Sequence, residues 1–441
     1  MIFEQLVWSD LGCASYVVGC QQAGEVVVVD PPFDVRGVRA ICERHNAKLV
    51  GVIETHTHAD HLSGHGILAL EEGCFVAIHE AANATYEHRP LRDGDRLAVG
   101  NIALDIMHTP GHRPEHCAIV VSDLTRGAEP WLVLSGDALF VGDAGRPDLA
   151  VAGAEGAAAL FASLHDRLGT LADGVELFPG HVAGSLCGRG MSAKPSSTLG
   201  YERRFNPMLI DMTVDEFVAK ANADLVPKPP TMARLVDLNR GPLVGSAAKR
   251  RHVRDALPGD QVLDVRDGQE FADGHLAGSL NVPVSANGFG NRCGFAFDPA
   301  REVVIVAKDT SQAERGARGL AAVGFLLLAE VTFGISSVDV LERFSPVSVD
   351  EMSSLAASGE LQVVDLREPS EQGDMVKGAV PVPYRELLTA DLSALDPARP
   401  VAAVCQTGAR SPLGASMLAA RGFKLVRPVL GEGMGNSSYR A

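Results

Sequence analysis

The chain has 441 residues, of which 46% are hydrophobic, and a formal net charge of −16. This length exceeds what one hydrophobic core usually organises, so it predicts two to four domains. The acidic balance argues against a nucleic-acid partner, because Lys and Arg are too few to neutralise phosphates. No apolar run reaches the roughly 18 residues that span a bilayer, and acidic residues near the start argue against a secretory leader. We therefore expect neither membrane insertion nor secretion.

Four short apolar runs in the first part of the chain have strand length, and each is followed by a His or Asp of a type that can bind metals. They are Val50 to Ile53 before His56, Ile102 to Ile106 before His112, Trp131 to Leu134 before Asp137, and Val175 to Phe178 before His181. We expect them to form a sheet with one functional edge, where loops converge on a site. The Ala- and Leu-rich stretch 154–171 predicts a helix packed on that sheet.

The segment Thr55–His61 is dense in metal-ligand types. His56, His58, Asp60 and His61 lie within six residues. Two ligands one residue apart can approach one ion only from a turn or an extended segment. Together with the residues at the other strand ends, the segment predicts a site for zinc, iron or manganese.

The motifs follow one another in a recognisable order. The HxHxDH pattern at His56–His61 precedes Thr109-Pro110-Gly111-His112, Ser135-Gly136-Asp137 and Pro179-Gly180-His181. Over about the first 200 residues the chain resembles the metallo-β-lactamase fold superfamily, which implies an αββα sandwich. That superfamily includes β-lactamases, glyoxalase II thioesterases, nucleases, flavoproteins and persulfide dioxygenases, so the fold alone does not set the function.

Two arrangements of the same ligands stay open at this point. A dinuclear hydrolase would bind one metal through His56, His58 and His112 and a second through Asp60, His61 and His181, with Asp137 bridging both. Resemblance to persulfide dioxygenases instead implies one Fe(II) on His56, His112 and Asp137. In that case the residues that orient the ligands and water are His58, Asp60, His61 and His181.

Beyond a proline-rich segment at 225–230, which predicts a domain boundary, the chain repeats itself. Gln261–Arg266 and Gln362–Arg367 have nearly the same sequence at an offset near one hundred residues. Each copy continues with an apolar strand and an Ala-rich helix, which predicts two small α/β domains with parallel sheets. The fold class is thus multidomain α/β, with domains at 1–240, 241–344 and 345–441.

Cys405 lies between a strand and a helix that begins near Arg410 or Ser411. Loop N–H groups and the positive helix end could stabilise its thiolate there, and Arg410 adds a fixed positive charge. The alternative is a buried structural cysteine. The pattern Cys-x-x-Gly-x-Arg-Ser, with Asp365-Leu366-Arg367 upstream, resembles a rhodanese sulfurtransferase. Four residues separate Cys405 from Arg410, whereas related phosphatases have five.

The middle copy has Ala307 where the last copy has Cys405, so it resembles an inactive rhodanese that acts as a spacer or docking surface. His275 in that copy is expected to be a packing residue. The glycine-rich run 431–435 does not follow the strand and open the helix of a dinucleotide loop, and we expect a flexible tail turn.

Several other residues are weaker candidates. Cys187 is a possible accessory sulfur site, with a structural thiol as the alternative, and Cys293 is a weaker candidate still. Arg146 is a possible substrate-binding residue, next to a structural Asp148. Two interpretations are open for Lys194, Arg203 and Arg204. They either contact an acidic thiol carrier or are ordinary surface charges.

The whole architecture resembles bacterial fusions of a persulfide dioxygenase with a sulfurtransferase, used in sulfide detoxification. The resemblance implies oxidation of a persulfide RSSH by O₂ to sulfite at one Fe(II) per chain, with transfer through Cys405 giving thiosulfate. It also implies a homo-oligomer, and the eight scattered cysteines suggest a reducing cytoplasm. The alternatives are a two-zinc glyoxalase II-type thioesterase fused to a sulfurtransferase, and a C-terminal sulfur-sensing module. The carrier could be glutathione, coenzyme A, bacillithiol or another thiol.

Overall fold

The computed structural model describes residues 1–183, 185–188, 190–223, 225–246, 249–252, 259–332, 341–373 and 375–435. The chain divides into two compact units, Met1–Ala247 with Ala322–Gly324, and Ala248–Ala321 with Phe325–Ala441. Among the described helices, none combines the length and the apolar character that crossing a membrane requires.

The first unit opens with a sheet of six strands in sequential order. The strands are β1 Ile2–Trp8, β2 Cys13–Cys20, β3 Glu25–Val29, β4 Lys48–Ile53, β5 Phe75–His79 and β6 Arg89–Leu91. The first three run antiparallel, and β3 to β6 are parallel.

The next strands form a second sheet and a small hairpin. They are β7 Arg96–Val99, β8 Ile102–His108, β9 Cys117–Asp123, β10 Leu132–Gly136, β11 Leu139–Phe140, β12 Asp143–Ala144, β13 Glu176–Pro179 and β14 Ser197–Thr198. The sheet has the order β14-β13-β10-β9-β8-β7, and β11 pairs with β12. Within this sheet β10 and β13 are parallel.

Helices cover the sheets, and the main core lies between them. The helices are α1 Arg36–His45, α2 His65–Glu72, α3 Gly153–Ala162, α4 Leu199–Phe205, α5 Val214–Asn222 and α6 Thr231–Arg240, with a π-helical turn at Ser163–Arg167 and 3₁₀ turns at Glu80–Ala82 and Leu168–Thr170. Val27 on the first sheet and Ile119 on the second share one buried cluster. Leu160 of α3 and Phe217 of α5 pack with Val133 on the other face of the second sheet. These layers confirm the αββα sandwich.

One sequence expectation was wrong. The strands that precede the predicted ligands belong to both sheets, since β4 lies in the first and β8, β10 and β13 lie in the second. A sandwich can bring the ends of two packed sheets to one edge, so a single sheet is not needed.

The second unit contains two parallel sheets. The first is built from β15 Lys249–His252, β16 Gln261–Asp264, β18 Leu280–Asn281, β19 Val303–Ala307 and β20 Leu327–Thr332, while β17 His275–Leu276 pairs with β21 Leu341–Glu342. Its order is β15-β20-β19-β16-β18. The accompanying helices are α7 Gly268–Asp273, α8 Phe289–Ala296 and α9 Thr310–Ala322.

The last sheet repeats this pattern. Its strands are β22 Gln362–Asp365, β23 Val380–Pro381, β24 Val401–Val404 and β25 Val426–Pro428, with helices α10 Val349–Ala357 and α11 Ser411–Ala420 and a 3₁₀ turn at Pro369–Glu371. The order β23-β22-β24-β25 matches β18-β16-β19-β20 of the preceding sheet. The repeated Asp-x-Arg motif forms the same ion pair twice, at 2.6 Å for Asp264 and Arg266 and at 2.7 Å for Asp365 and Arg367.

The proline-rich segment at 225–230 lies inside the first unit, and α6 follows it in the same unit. The domain limits at residues 240 and 344 stay predictions.

Candidate functional site

Four elements of the first unit carry the predicted metal ligands. The loop after β4 carries the HxHxDH motif, the loop after β8 carries His112, and Asp137 and His181 follow β10 and β13. All seven predicted ligands are buried: His56, His58, Asp60, His61, His112, Asp137 and His181. Buried polar groups require partners, so the partner of each ligand atom is informative.

Six atoms of these ligands have no hydrogen-bond partner among the described residues: Nε2 of His56, Nε2 of His112, Oδ2 of Asp137, both ring nitrogens of His58 and Nε2 of His61. The ligand atoms of His56, His112 and Asp137 lie within 4.8 Å of one another. In His56 and His112 the other ring nitrogen is engaged: Nδ1 of His56 contacts the Thr55 hydroxyl at 2.9 Å, and Nδ1 of His112 contacts the Arg146 carbonyl at 3.0 Å. Because a carbonyl only accepts, Nδ1 of His112 carries the proton and Nε2 presents a lone pair.

The electrostatics of these three residues suit a cation. Burial lowers the pKa of His112, and burial together with the neighbouring His58 holds the pKa of His56 well below its ordinary value. Burial disfavours a charged Asp137, but His181 and His112 outweigh that effect and lower its pKa. Two neutral imidazoles and a carboxylate are a donor set that divalent transition metals accept.

His181 connects this group to a second cluster. Its Nδ1 lies 2.7 Å from Oδ1 of Asp137 and its Nε2 lies 2.8 Å from Oδ2 of Asp60. Asp60 also contacts Nδ1 of His61 at 3.2 Å and accepts a hydrogen bond from the Cys13 thiol at 3.2 Å. Cys13 was missed by sequence reasoning, since no motif marks it and it reaches the site from the start of β2.

His58 is oriented differently from its neighbours in the motif. Its Nε2 lies 3.2 Å from Asp30 and 3.1 Å from Glu54. Burial disfavours its charged form, but Asp30 and Glu54 outweigh burial and raise the pKa of His58 well above the ordinary value. Among the described residues, the ligand atoms of His56, His112 and Asp137 lie close enough together to bind one ion. No such cluster of close ligand atoms includes His58 together with these three residues.

The two weaker candidates near the metal ligands are both buried. The Cys187 thiol lies within 4.8 Å of ligand atoms of Asp137 and His181, and burial raises its pKa well above the ordinary value. The Arg146 guanidinium forms a two-point ion pair with Asp148, at 2.7 and 2.9 Å. Asp148 therefore compensates the positive charge of Arg146, which the sequence suggested for substrate binding.

The remaining basic candidates lie on the surface, and Cys293 lies in the interior. Arg203 pairs with Asp173. The Arg204 guanidinium lies 5.3 Å from the ring centre of Phe205, and Lys194 is exposed. Cys293 is fully buried in α8. None of these positions adjoins a predicted metal ligand in the described contacts.

The second candidate site is the loop between β24 and α11. The Cys405 sulfur is fully buried and accepts hydrogen bonds from the Arg410 backbone N–H at 3.3 Å and the Ser411 hydroxyl at 3.5 Å. The guanidinium of Arg410 pairs with Glu371 through two contacts of 2.6 Å. Cys405 is thus held by backbone and hydroxyl donors at a helix N-terminus, while the predicted fixed charge is compensated.

The glycine-rich run 431–435 ends in a turn, as expected, and packs against this loop; its flexibility stays a prediction. The Met434 N–H donates to the Cys405 carbonyl at 3.0 Å, and the Gly435 N–H donates to the Gln406 carbonyl at 2.9 Å. A Cβ at Gly433 would lie 2.4 Å from the Cys405 carbonyl oxygen. The glycine therefore permits a close approach of two backbones.

Family models match both parts of the chain: Metallo-beta-lactamase superfamily at residues 8–181 and Rhodanese-like domain at residues 348–433. Persulfide dioxygenase ETHE1, mitochondrial, of Bos taurus is 30% identical over 217 residues, which cover 49% of this chain and 78% of the relative. The Homo sapiens protein is 30% identical over 218 residues, with the same two shares.

Among solved structures, a metallo-beta-lactamase from Staphylococcus aureus subsp. aureus COL superposes with a TM-score of 0.68 at 28% identity, over 75% of this chain and 98% of that chain. This similarity extends well beyond the segment matched by the metallo-beta-lactamase model. The chain therefore belongs to the ETHE1 persulfide dioxygenase family of the metallo-beta-lactamase superfamily and carries a rhodanese-like domain near its C-terminal end.

Proposed function

We propose that the first unit oxidises the terminal sulfur of a small thiol persulfide with O₂, and that Cys405 transfers sulfane sulfur in the second unit. The overall oxidation is RSSH + O₂ + H₂O → RSH + H₂SO₃. Cys405 exchanges with RSSH to give a cysteine persulfide and RSH. Sulfite then takes the outer sulfur, which yields thiosulfate and regenerates the Cys405 thiolate.

A single observation carries the dioxygenase half of the proposal. Nε2 of His56, Nε2 of His112 and Oδ2 of Asp137 are buried, close together and without hydrogen-bond partners in the described chain. Leaving three such atoms unsatisfied would be costly, so their convergence favours a bound cation. Two histidines and one carboxylate are the ligand set of mononuclear Fe(II) oxygenases, which leave coordination positions open. Bound iron would supply the redox chemistry between persulfide sulfur and O₂.

The surrounding residues have orienting roles in this proposal. Thr55 and the Arg146 carbonyl fix the rings of His56 and His112. His181 holds the second oxygen of Asp137 and thereby leaves only Oδ2 for a metal. Partners of this kind tune metal affinity and ligand orientation.

The alternative is a dinuclear zinc thioesterase of the glyoxalase II type. A second group of ligand types does converge at Cys13, Asp60 and His181. However, both nitrogens of His181 are hydrogen-bonded to carboxylates, and His58 faces Asp30 and Glu54. These contacts favour the mononuclear arrangement.

The sulfur-transfer half is supported by the geometry around Cys405. An N–H group and a hydroxyl at the N-terminus of α11 both donate to its sulfur. These donors would stabilise a thiolate and, after loading, a persulfide anion. The rhodanese-like match over residues 348–433 includes the whole loop. The thiol carrier, the homo-oligomer and the cytoplasmic setting stay predictions.

The deciding experiment measures metal content in anaerobically purified protein together with O₂ uptake on adding glutathione persulfide. About one iron per chain with persulfide-dependent uptake is the expected result. Two zinc ions per chain, no uptake, and hydrolysis of S-lactoylglutathione would move the first unit to the thioesterase class. Thiosulfate formation from glutathione persulfide and sulfite tests the Cys405 half separately.

A further inference from the structure

A buried asparagine in α6 contacts the loop that carries the metal ligands. The side-chain NH₂ of Asn239 donates to the carbonyls of His58 at 2.9 Å and His61 at 2.8 Å. Its side-chain oxygen accepts the N–H of Ser63 at 2.9 Å. Only 3% of Asn239 is exposed. One amide group therefore satisfies three backbone groups of a single loop.

Other side chains hold the beginning of the same loop. Asp30 accepts the N–H of Thr55 at 2.7 Å, and Glu115 accepts the N–H of Thr57 at 3.2 Å. Asn239 continues this support over residues 58–63. Three side chains from different parts of the unit, Asp30, Glu115 and Asn239, thus hold the backbone of this loop.

The segment after Asn239 is also anchored beside this loop. The Arg240 carbonyl accepts the N–H of Thr85 at 2.7 Å. A Cβ at Gly66, in the first turn of α2, would lie 2.5 Å from the Val244 carbonyl oxygen. The chain at 239–244 therefore passes close to the helix that follows the metal-binding loop, which limits the freedom of the Asn239 side chain.

We propose that Asn239 is a positioning residue for the metal centre, although it lies outside the metallo-beta-lactamase match at 8–181. It acts through the loop backbone from which His56 and Asp60 project. The inference rests on the proposed metal site but not on the identity of the metal. Loss of a group that hydrogen-bonds a metal ligand typically weakens metal binding about 10- to 100-fold, and we expect an effect of this order from Asn239 through the loop backbone.

The test uses the full chain, freed of metal and titrated anaerobically with Co(II) against a competing chelator. Asn239→Asp keeps the size of the side chain but turns an oxygen toward the two carbonyls. We expect Co(II) binding to weaken by about 10- to 100-fold, with a changed visible spectrum of the bound ion. Asn239→Ala removes all three bonds without adding charge, and should show the same loss.

Asn222→Asp is the matched control. The side chain of Asn222 donates to the carbonyls of Gly153 and Val218 in the same unit, at 3.2 and 2.9 Å. We expect its Co(II) affinity and spectrum to match the wild type. If the Asn239 variants keep wild-type affinity and spectrum while the metal-free protein melts lower, the role is structural only and the proposal is overturned.

Two further outcomes separate this inference from the proposed function. If His112→Ala binds Co(II) as tightly as the wild type, the proposed metal site itself is refuted. If Asn239→Asp does not fold, Asn239→Ala decides the question, since it places no carboxylate against the loop carbonyls.

Discussion

The duplicated Asp-x-Arg pair allows stability and sulfur transfer to be separated. In the last copy, Arg367 contacts Asp365 at 2.7 Å, and its side chain is 4% exposed. In the middle copy, Arg266 contacts Asp264 at 2.6 Å with the same exposure. Replacing either arginine with leucine leaves a carboxylate buried without its partner, which typically costs about 3–5 kcal/mol. We expect Arg367→Leu and Arg266→Leu to lower the urea midpoint of the second unit by similar amounts.

The two variants should differ in sulfur transfer. Arg367 also donates to the Glu371 carbonyl at 3.0 Å and to the Gln406 side chain at 3.4 Å, so it supports the loop of Cys405. A hydrogen bond from a charged group contributes about 1.5–3 kcal/mol. If that energy orders the loop for transfer, Arg367→Leu should slow thiosulfate formation about tenfold or more. Arg266→Leu should retain most of the wild-type rate.

The assay follows thiosulfate formed from glutathione persulfide and sulfite at a temperature where both variants remain folded by circular dichroism. Equal loss of transfer in the two variants would refute the reasoning, because the loop contacts of Arg367 would then be irrelevant. A stability loss in only one variant would refute the equivalence of the two pairs.

Three further predictions concern single positions. Cys405→Ser should abolish thiosulfate formation and leave persulfide-dependent O₂ uptake intact, and loss of both activities would contradict separate sites. His112→Ala should remove the metal, measured by elemental analysis, together with O₂ uptake; retained uptake would argue against the proposed ligand set. Gly408 has φ +85°, and a Cβ there would lie 2.7 Å from the Glu432 carbonyl oxygen. Gly408→Ala should therefore lower the free energy of unfolding of the second unit by more than about 2 kcal/mol and slow thiosulfate formation. The control is Gly359→Ala, which has φ +77° in open space and should cost only the backbone strain, as urea unfolding would show.

Local patterns identified most candidate ligands, and the ordered motifs carried the resemblance that implied the sandwich. Strand lengths and ligand types at strand ends alone predicted a single sheet, whereas the repeat at 261 and 362 predicted two small α/β domains with parallel sheets. What local patterns could not show was which atoms are left without partners. That property depends on contacts between residues far apart in the chain, such as His181 with Asp60.

The residues that sequence reasoning missed share this property. Cys13 reaches Asp60 across 47 positions of the chain, and Asn239 reaches His58 across 181 positions. Arg410 was expected to add a fixed positive charge beside Cys405, and its guanidinium pairs with Glu371, which lies 39 positions earlier. Such partners have no fixed spacing relative to a motif, so only the folded chain identifies them.

The middle copy shows why a missing cysteine is not the whole difference between the two repeats. After β19, only Lys308 and Asp309 precede α9, whereas residues 405–410 separate β24 from α11. In the short connection, Asp309 accepts the N–H of Gln312 at 2.7 Å, and the Gln312 side chain accepts the N–H of Lys308 at 2.9 Å. The N–H groups of Lys308 and Gln312 therefore bond to side chains of the connection and of the first turn of α9. The middle copy thus repeats the scaffold with a shorter connection in place of the Cys405 loop, which agrees with the prediction that this copy is a spacer or docking surface.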